Sequence, residues 1–188
     1  GHGVPGAFMS MLGFSLLSQV VGRDGCRTAN EILNCMRDLI KKNLKQDIND
    51  TNSAHDGMDA ALIVIDKNTN LLEYSGANIP FICFRAEEEI DLKPVRNPVG
   101  VYVNEKPFEN QTLELKKGDQ IYLSSDGYHS QFGGANDRVL KSVGYKKILR
   151  EVHHEPMAVQ VKLIEEKYIE WKGDKSQTDD VMVIGMEV

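Results

Sequence analysis

Two aspartates beside β-type runs carry the strongest chemical signal in this sequence. Asp126 follows the apolar run at residues 121–124, and Asp179 comes shortly before the apolar run at residues 181–184. Carboxylate oxygens are hard ligands that match Mg²⁺ and Mn²⁺, and the end of a strand holds a side chain rigidly. Two carboxylates brought together by folding would repel each other unless a cation lay between them. The pair therefore indicates a divalent metal site.

Such a site would suit hydrolysis of a phosphoryl group. A pair of divalent ions about 3.5–4 Å apart can hold a shared water, lower its pKa and direct it at a phosphoryl group. The same residues also have a purely structural interpretation. Asp126-Gly127 is typical of a turn, and Asp179-Asp180 before a strand is typical of a turn or a cap. Composition and spacing leave both interpretations open.

The elements that must position these residues indicate an α+β domain, because strands cluster in the middle of the sequence and helices lie on either side. Short turns between apolar runs predict antiparallel hairpins, which join the first three strands in a meander and pair the next two. The predicted strands are residues 60–65, 71–74, 79–84, 112–115, 120–124 and 180–186, and the predicted helices are residues 7–21, 28–44, 145–153 and 157–171.

Two further expectations concern single elements. The first helix is so apolar that we expect it to be covered on most of its sides. The acidic run at residues 87–89 is expected to form a solvated turn.

Length and composition limit the classes of protein to which the chain can belong. With 188 residues, of which 41% are hydrophobic and 27% charged, residues 1–188 are predicted to form a single globular domain. A net charge of −6 argues against general binding to nucleic acid or to an anionic membrane surface. Cys26, Cys35 and Cys83 form no CxxC pair, and we expect three small buried hydrophobic side chains in a reduced cytosolic compartment.

Five motifs in a fixed order resemble one known family. They are GHGVPGAFMSMLG at residues 1–13, DGMDAAL at 56–62, YSGANIP at 74–80, SDGY with QFGG at 125–134, and QTDD at 177–180. Together they are similar to the motifs of bacterial metal-dependent serine/threonine phosphatases of the PPM superfamily, in its SpoIIE-type branch. The resemblance spans the whole chain.

This resemblance implies an antiparallel β-sandwich flanked by helices, with two Mn²⁺ or Mg²⁺ ions at one edge. Asp126 and Asp179 match metal ligands of the family, and the catalytic group is a metal-bound water rather than a side chain. Asp180, Gly127 and His2 match positions beside the ligands or near a bound water.

The motif at residues 74–80 implies a turn near the site, formed by Gly76 and Asn78. A purely structural role in a hairpin is the alternative for both residues.

The family pattern D-x-[ST]-G-H-G begins with an aspartate that bridges both metals. Because the sequence starts at the first glycine of G-H-G, this aspartate and the N-terminal strands are expected to precede Gly1. The chain then corresponds to about the C-terminal three quarters of the domain. We expect such a fragment to bind metal weakly and to turn over little substrate. We also expect it to cover an open sheet edge or an exposed apolar face, by forming a homodimer or by exchanging segments.

The resemblance implies that the protein removes phosphate from serine or threonine on a small regulatory protein of the anti-anti-sigma kind. It also implies an output module of a longer sensor chain, in the cytoplasm or on the cytosolic side of a larger membrane-associated protein. The alternative is a non-catalytic interaction module, or an inactive fragment, with the phosphatase fold.

Overall fold

Helices and antiparallel strands make up the described part of the chain, residues 3–22, 25–49 and 56–188, in a computed structural model. The helices are α1 (Gly3–Gly22), α2 (Ala29–Asn43), α3 (Gly127–Ser130), α4 (Lys141–Val152) and α5 (Met157–Lys172). The strands are β1 (Ala60–Asp66), β2 (Leu71–Ala77), β3 (Phe81–Arg85), β4 (Glu88–Leu92), β5 (Gln111–Glu114), β6 (Gln120–Ser124), β7 (Phe132–Gly133), β8 (Arg138–Val139) and β9 (Val183–Glu187). The predicted α+β class with antiparallel pairing is confirmed.

The chain divides into two compact units. Unit 1 contains residues 1–81 and 92–115, and unit 2 contains residues 82–91 and 116–188. Whether the two units behave as the single domain predicted from the sequence stays a prediction. No helix within the described ranges is long and apolar enough to cross a membrane.

Unit 1 combines a three-stranded sheet, in the order β1-β2-β5, with helices α1 and α2. The β1–β2 hairpin was predicted correctly, and it pairs Ala60 with Ala77 through to Asp66 with Leu71. Helix α2 begins after Thr28, whose backbone N–H donates to the Glu31 carboxylate at 3.2 Å, as the capping-box pattern predicts. Its apolar stripe is buried and consists of Ile32, Leu33, Met36 and Ile40.

Helix α1 departs from its prediction, because it is covered on one stripe only. Leu16 and Val20 are buried, but the side chains of Phe8 and Phe14 are 69% and 75% exposed. Helix α2 contacts α1 within unit 1, and the described residues of this unit leave the outer stripe of α1 open to solvent. A highly apolar helix is therefore not necessarily buried on most of its sides.

Unit 2 contains a four-stranded antiparallel sheet, in the order β4-β3-β6-β9, with α4 and α5 packed in the same unit. Central strand β6 pairs with β3 on one side and with β9 on the other. The core of this unit is rich in tyrosine, and its buried members include Phe84, Tyr122, Tyr128, Tyr145, Leu149, Ile164 and Tyr168.

Two of the predicted hairpins are wrong. Strand β3 does not return beside β2, and β5 does not pair with β6, because in each case the two strands belong to different sheets. The edge of β2 that a returning β3 would need is taken by β5, with Leu71 opposite Glu114. A short turn between two apolar runs can thus join strands that belong to different sheets.

The acidic run at residues 87–89 is not a solvated turn throughout. It runs into β4, and the Glu89 carboxylate accepts hydrogen bonds from Lys146 at 3.2 Å and from Arg150 at 2.6 Å. These two cations lie on α4, so the acidic residue fastens the sheet edge to that helix within unit 2.

Candidate functional site

The segments that contain Asp126 and Asp179 lie side by side in unit 2. Strands β6 and β9 pair antiparallel, with Ser124 opposite Val183. The residues that follow β6 therefore run alongside those that precede β9. Tertiary folding brings together the two segments, which are 53 positions apart in the sequence.

Ser125 fastens the two segments to each other. Its backbone N–H donates to the carbonyl of Met182, and the Met182 N–H donates to the Ser125 hydroxyl, both at 2.9 Å. The same hydroxyl donates to the carbonyl of Asp180 at 2.9 Å. One side chain thus completes the pairing where the regular β ladder stops, and it fixes the backbone on both sides of the candidate site.

Gly127 allows the closest approach between the segments. A methyl group at its Cα would lie 2.8 Å from the carbonyl carbon of Asp180 and 3.2 Å from that of Asp179. Backbone atoms cannot yield as the end of a flexible side chain can, so any larger residue would push the two segments apart. Gly127 therefore sets the separation of the aspartate-bearing backbones.

The carboxylates of Asp126 and Asp179 make few hydrogen bonds to the described residues. Asp126 stands at the start of α3, but its exposed side chain does not cap that helix. Asp179 is half-buried, and its carboxylate accepts the backbone N–H of Asp180 at 2.7 Å. The structural alternative for Asp126, a turn, is neither supported nor excluded by the absence of a capping hydrogen bond from this side chain.

The donor set fits a hard divalent cation in part. Within residues 3–22, 25–49 and 56–188, no group of three or more His, Cys, Asp or Glu side chains could hold a metal. Mg²⁺ is often held by one or two carboxylates and keeps several water ligands. Two adjacent, accessible carboxylate segments are compatible with that mode of binding.

His129 lies on α3, close enough to Asp126 for that charge to affect its pKa. Burial lowers the pKa of His129, and the negative charge of Asp126 raises it by a smaller amount. The lowered pKa favours the neutral imidazole over the charged form beside the aspartates.

Gln131 holds the loop that leads to Asp179. This fully buried side chain accepts the backbone N–H of Thr178 at 3.0 Å and donates to the carbonyl of Ser176 at 2.9 Å. The hydroxyl of Tyr168 donates to the same amide oxygen at 2.8 Å. Sequence analysis placed Gln131 and Ser125 in motifs but gave neither a role, because the partners of both lie far away in the sequence.

The remaining predicted site residues belong to unit 1 or lie outside the described residues, and their nearness to the site stays a prediction. Gly76 and Asn78 belong to unit 1, where Asn78 has a positive φ of 62° and its amide donates to Asp59 at 2.7 Å. A side chain at Gly76 would meet the Ile79 carbonyl at 2.6 Å, so a local structural need explains this glycine. His2 lies outside the described residues.

Comparison with known proteins identifies relatives of the whole chain. A family model described as stage II sporulation protein E (SpoIIE) matches residues 1–188. A comparison with curated proteins gives no match.

Several solved structures share the fold. The SiaA-PP2C domain of Pseudomonas aeruginosa has a TM-score of 0.85 and 26% identity over all of this chain and 71% of its own. The PP2C phosphatase domain of SpoIIE from Bacillus subtilis, solved with a fragment of its regulatory domain, has a TM-score of 0.74 and 18% identity. The RsbU and RsbW domains of a Mycobacterium tuberculosis protein have a TM-score of 0.74 and 16% identity.

This chain spans only about half of the last two structures, 52% and 49% of their lengths, although all of it is matched in both. Two more distant matches concern metals. They are a SpoIIE phosphatase domain from Bacillus subtilis presoaked with Mn, with a TM-score of 0.55 and 17% identity, and RsbX in complex with magnesium, with a TM-score of 0.58 and 15% identity. They match 94% and 98% of this chain, over 73% and 75% of their own lengths.

Proposed function

The chain belongs to the SpoIIE family of PP2C-type phosphatase domains, and we propose that it hydrolyses phosphoserine or phosphothreonine on a regulatory protein. The observation that carries this proposal is the junction of β6 and β9, where Ser125 and Gly127 hold the segments of Asp126 and Asp179 together. A phosphatase of this kind needs two carboxylates from remote parts of the chain at one place, and the junction supplies two such segments.

We propose that Asp126 and Asp179 hold Mn²⁺ or Mg²⁺, with two ions in the complete domain. A divalent cation bound there would lower the pKa of a water and neutralise charge on the phosphoryl group. The chain's own contribution is to orient the ligands. Gly127 and the Asp180 backbone fix the approach of the two segments, and the loop before Asp179 is held by Gln131.

The substrate class and setting are further proposals that rest on the family. A small phosphorylated regulator of the anti-anti-sigma kind suits a domain whose fold is shared with RsbU and SpoIIE. We place the domain in the cytoplasm, at the output end of a longer sensor chain. A net charge of −6 favours a protein substrate over nucleic acid.

Replacement of each proposed ligand tests the function. In the natural full-length protein with Mn²⁺, Asp126→Asn and Asp179→Asn are each expected to lower phosphate release from a phosphoserine peptide by at least about 100-fold. The change from carboxylate to amide removes a charged oxygen ligand and keeps the shape. Asp174→Asn, an exposed acid in unit 2, is the matched control and is expected to keep full activity. Full activity in either ligand variant would show that these residues are not the ligands.

The second candidate function is a non-catalytic interaction module with the phosphatase fold. It is favoured by the lack of a third acidic, histidine or cysteine ligand among the described residues. The same assay separates the two functions, because an interaction module would release no phosphate even with the unaltered full-length protein and Mn²⁺.

A further inference from the structure

Two of the three cysteines meet in unit 1. The sulfur atoms of Cys26 and Cys35 are 2.8 Å apart, and the two residues are nine positions apart in the sequence. Both are thiols in the structure. Their separation is shorter than ordinary contact between non-bonded sulfur atoms and approaches the disulfide bond length of about 2.05 Å. Of the three cysteines expected to be small buried hydrophobic side chains, Cys83 is buried, whereas Cys26 and Cys35 are partly buried, pack against the core of unit 1 and also meet each other.

The contact is set up by the segment that joins α1 to α2. The backbone N–H of Cys26 donates to the carbonyl of Val20 at 3.3 Å, at the end of α1. The next residue, Arg27, donates from its guanidinium to the Val21 carbonyl at 2.9 Å and from its backbone N–H to Glu31 at 3.1 Å. Cys26 is thus held between the end of one helix and the capping box of the next, with its sulfur on Cys35.

The third cysteine differs in both position and chemistry. Cys83 lies in β3 and is fully buried, and burial raises its pKa to about 11. A thiol with such a high pKa has almost no thiolate at pH 7, which makes it a poor nucleophile. Cys26 and Cys35 are only half-buried, so they are more open to a small oxidant than Cys83 is. The chain therefore contains its own unreactive control.

We propose that Cys26 and Cys35 form a modification site, a dithiol that a hydroperoxide converts to an intramolecular disulfide. One thiolate attacks a peroxide oxygen, an S–O bond forms and the O–O bond breaks. The hydroxide or alkoxide that leaves takes up a proton, so the products are a sulfenic acid and water or an alcohol. The second thiolate then attacks that sulfur, the S–S bond forms, and hydroxide leaves to take up a proton. The two sulfurs lose two electrons in total, and the peroxide gains them.

The disulfide would join the connection between the two helices to the middle of α2. Cys35 lies on α2, and the segment from Cys26 to Thr28 precedes it, so the bond would prevent that segment from separating from the helix. A small thiol would restore both cysteines by exchange. This site is independent of the aspartates of unit 2, and the proposal does not rest on the phosphatase function.

Mass spectrometry of tryptic peptides tests the proposal directly. Trypsin cuts after Arg27, so residues 24–27 and residues 28–37 become separate peptides, each with one cysteine. The natural full-length protein, reduced and then treated with hydrogen peroxide, is expected to yield these two peptides joined, with a mass about 2 Da below their sum. Dithiothreitol is expected to separate them again.

Single-serine variants identify the participants. Cys83→Ser is expected to leave formation of the joined peptides unchanged. Cys26→Ser and Cys35→Ser are each expected to abolish it and to leave the remaining cysteine as a sulfenic acid that dimedone traps. If the unaltered protein kept both thiols, or joined them only between molecules, while its methionines were already oxidised, the proposal would be wrong. This result needs no variant, so a variant that fails to fold would not obscure it.

Discussion

Asp119 is a buried carboxylate of unit 2 that accepts three hydrogen bonds. Arg85 donates two hydrogen bonds to it at 2.7 and 2.8 Å, and the backbone N–H of Lys116 donates a third at 2.8 Å. Burial alone would raise the pKa of Asp119, but these hydrogen bonds outweigh burial and hold its pKa below the ordinary value. The ionised form is therefore more stable in the folded protein than in the unfolded chain.

Removal of this charge is expected to destabilise the protein in a pH-dependent way. At pH 7, Asp119→Asn should lower the free energy of unfolding by about 2–4 kcal/mol, because Arg85 loses its buried partner. The contribution of Asp119 is complete above its ordinary pKa of about 3.9 and is lost as the pH falls through the lower pKa of the folded state. Urea unfolding of both proteins between pH 7 and pH 3 measures the difference, which should shrink at the acidic end.

A surface pair provides the control for this experiment. Asp137 and Lys175 lie 2.7 Å apart, but both side chains are about half exposed. Asp137→Asn is therefore expected to change the free energy of unfolding by less than about 1 kcal/mol. A difference for Asp119→Asn that stayed constant over the whole pH range would contradict the pKa argument.

Elements with a local pattern could be predicted from the sequence, and elements fixed by distant partners could not. The capping box at Thr28 and the apolar stripe of α2 lie within one segment, and the helix has the predicted start. The sheet to which β3 belongs depends on its pairing with β6, more than 30 residues away, and no short pattern records that choice. For this reason the hairpins predicted for β2–β3 and β5–β6 are wrong.

In the candidate site, too, local motifs could be predicted from the sequence and long-range contacts could not. Asp126 and Asp179 could be selected because each stands in a short motif beside a strand. The geometric roles of Ser125, Gly127 and Gln131 depend on contacts with residues 176–182, and only the folded chain shows them. The ligand assignment itself remains a prediction until metal binding is measured.

The junction of β6 and β9 can be tested with one methyl group. Gly127→Ala would place that methyl against the Asp179–Asp180 backbone, so the two segments must separate. In the full-length protein we expect the affinity for Mn²⁺ and the rate of phosphate release to fall by at least about 10-fold, as measured by calorimetric titration and by the phosphoserine assay. Gly22→Ala is the matched control, because its added methyl meets no atom within 4 Å. If both substitutions lowered Mn²⁺ affinity and phosphate release equally, Gly127 would have no special role in holding the two segments at their separation.

At the scale of the whole molecule, net charge and exposed apolar surface act in opposite directions. The charge is −6 at pH 7 and vanishes near pH 5.4. Helix α1 has no charged residue in its 20 positions, and Phe8, Met11 and Phe14 are all largely exposed. Mutual repulsion at pH 7 opposes contact between these surfaces, and it disappears at the isoelectric point. The homodimer expected from the sequence stays a prediction, and α1 supplies apolar surface for self-association.

Light scattering as a function of pH tests this balance. The 188-residue chain is expected to associate most strongly near pH 5.4. The double substitution Phe8→Ser with Phe14→Ser should reduce that association several-fold, because it breaks up the apolar surface of α1. The control is Val103→Ser with Val143→Ser, which removes two valines that are 77% and 74% exposed outside α1. If both double variants reduced scattering equally, overall hydrophobicity rather than the α1 surface would control association. If neither did, the loss of net charge alone would account for it.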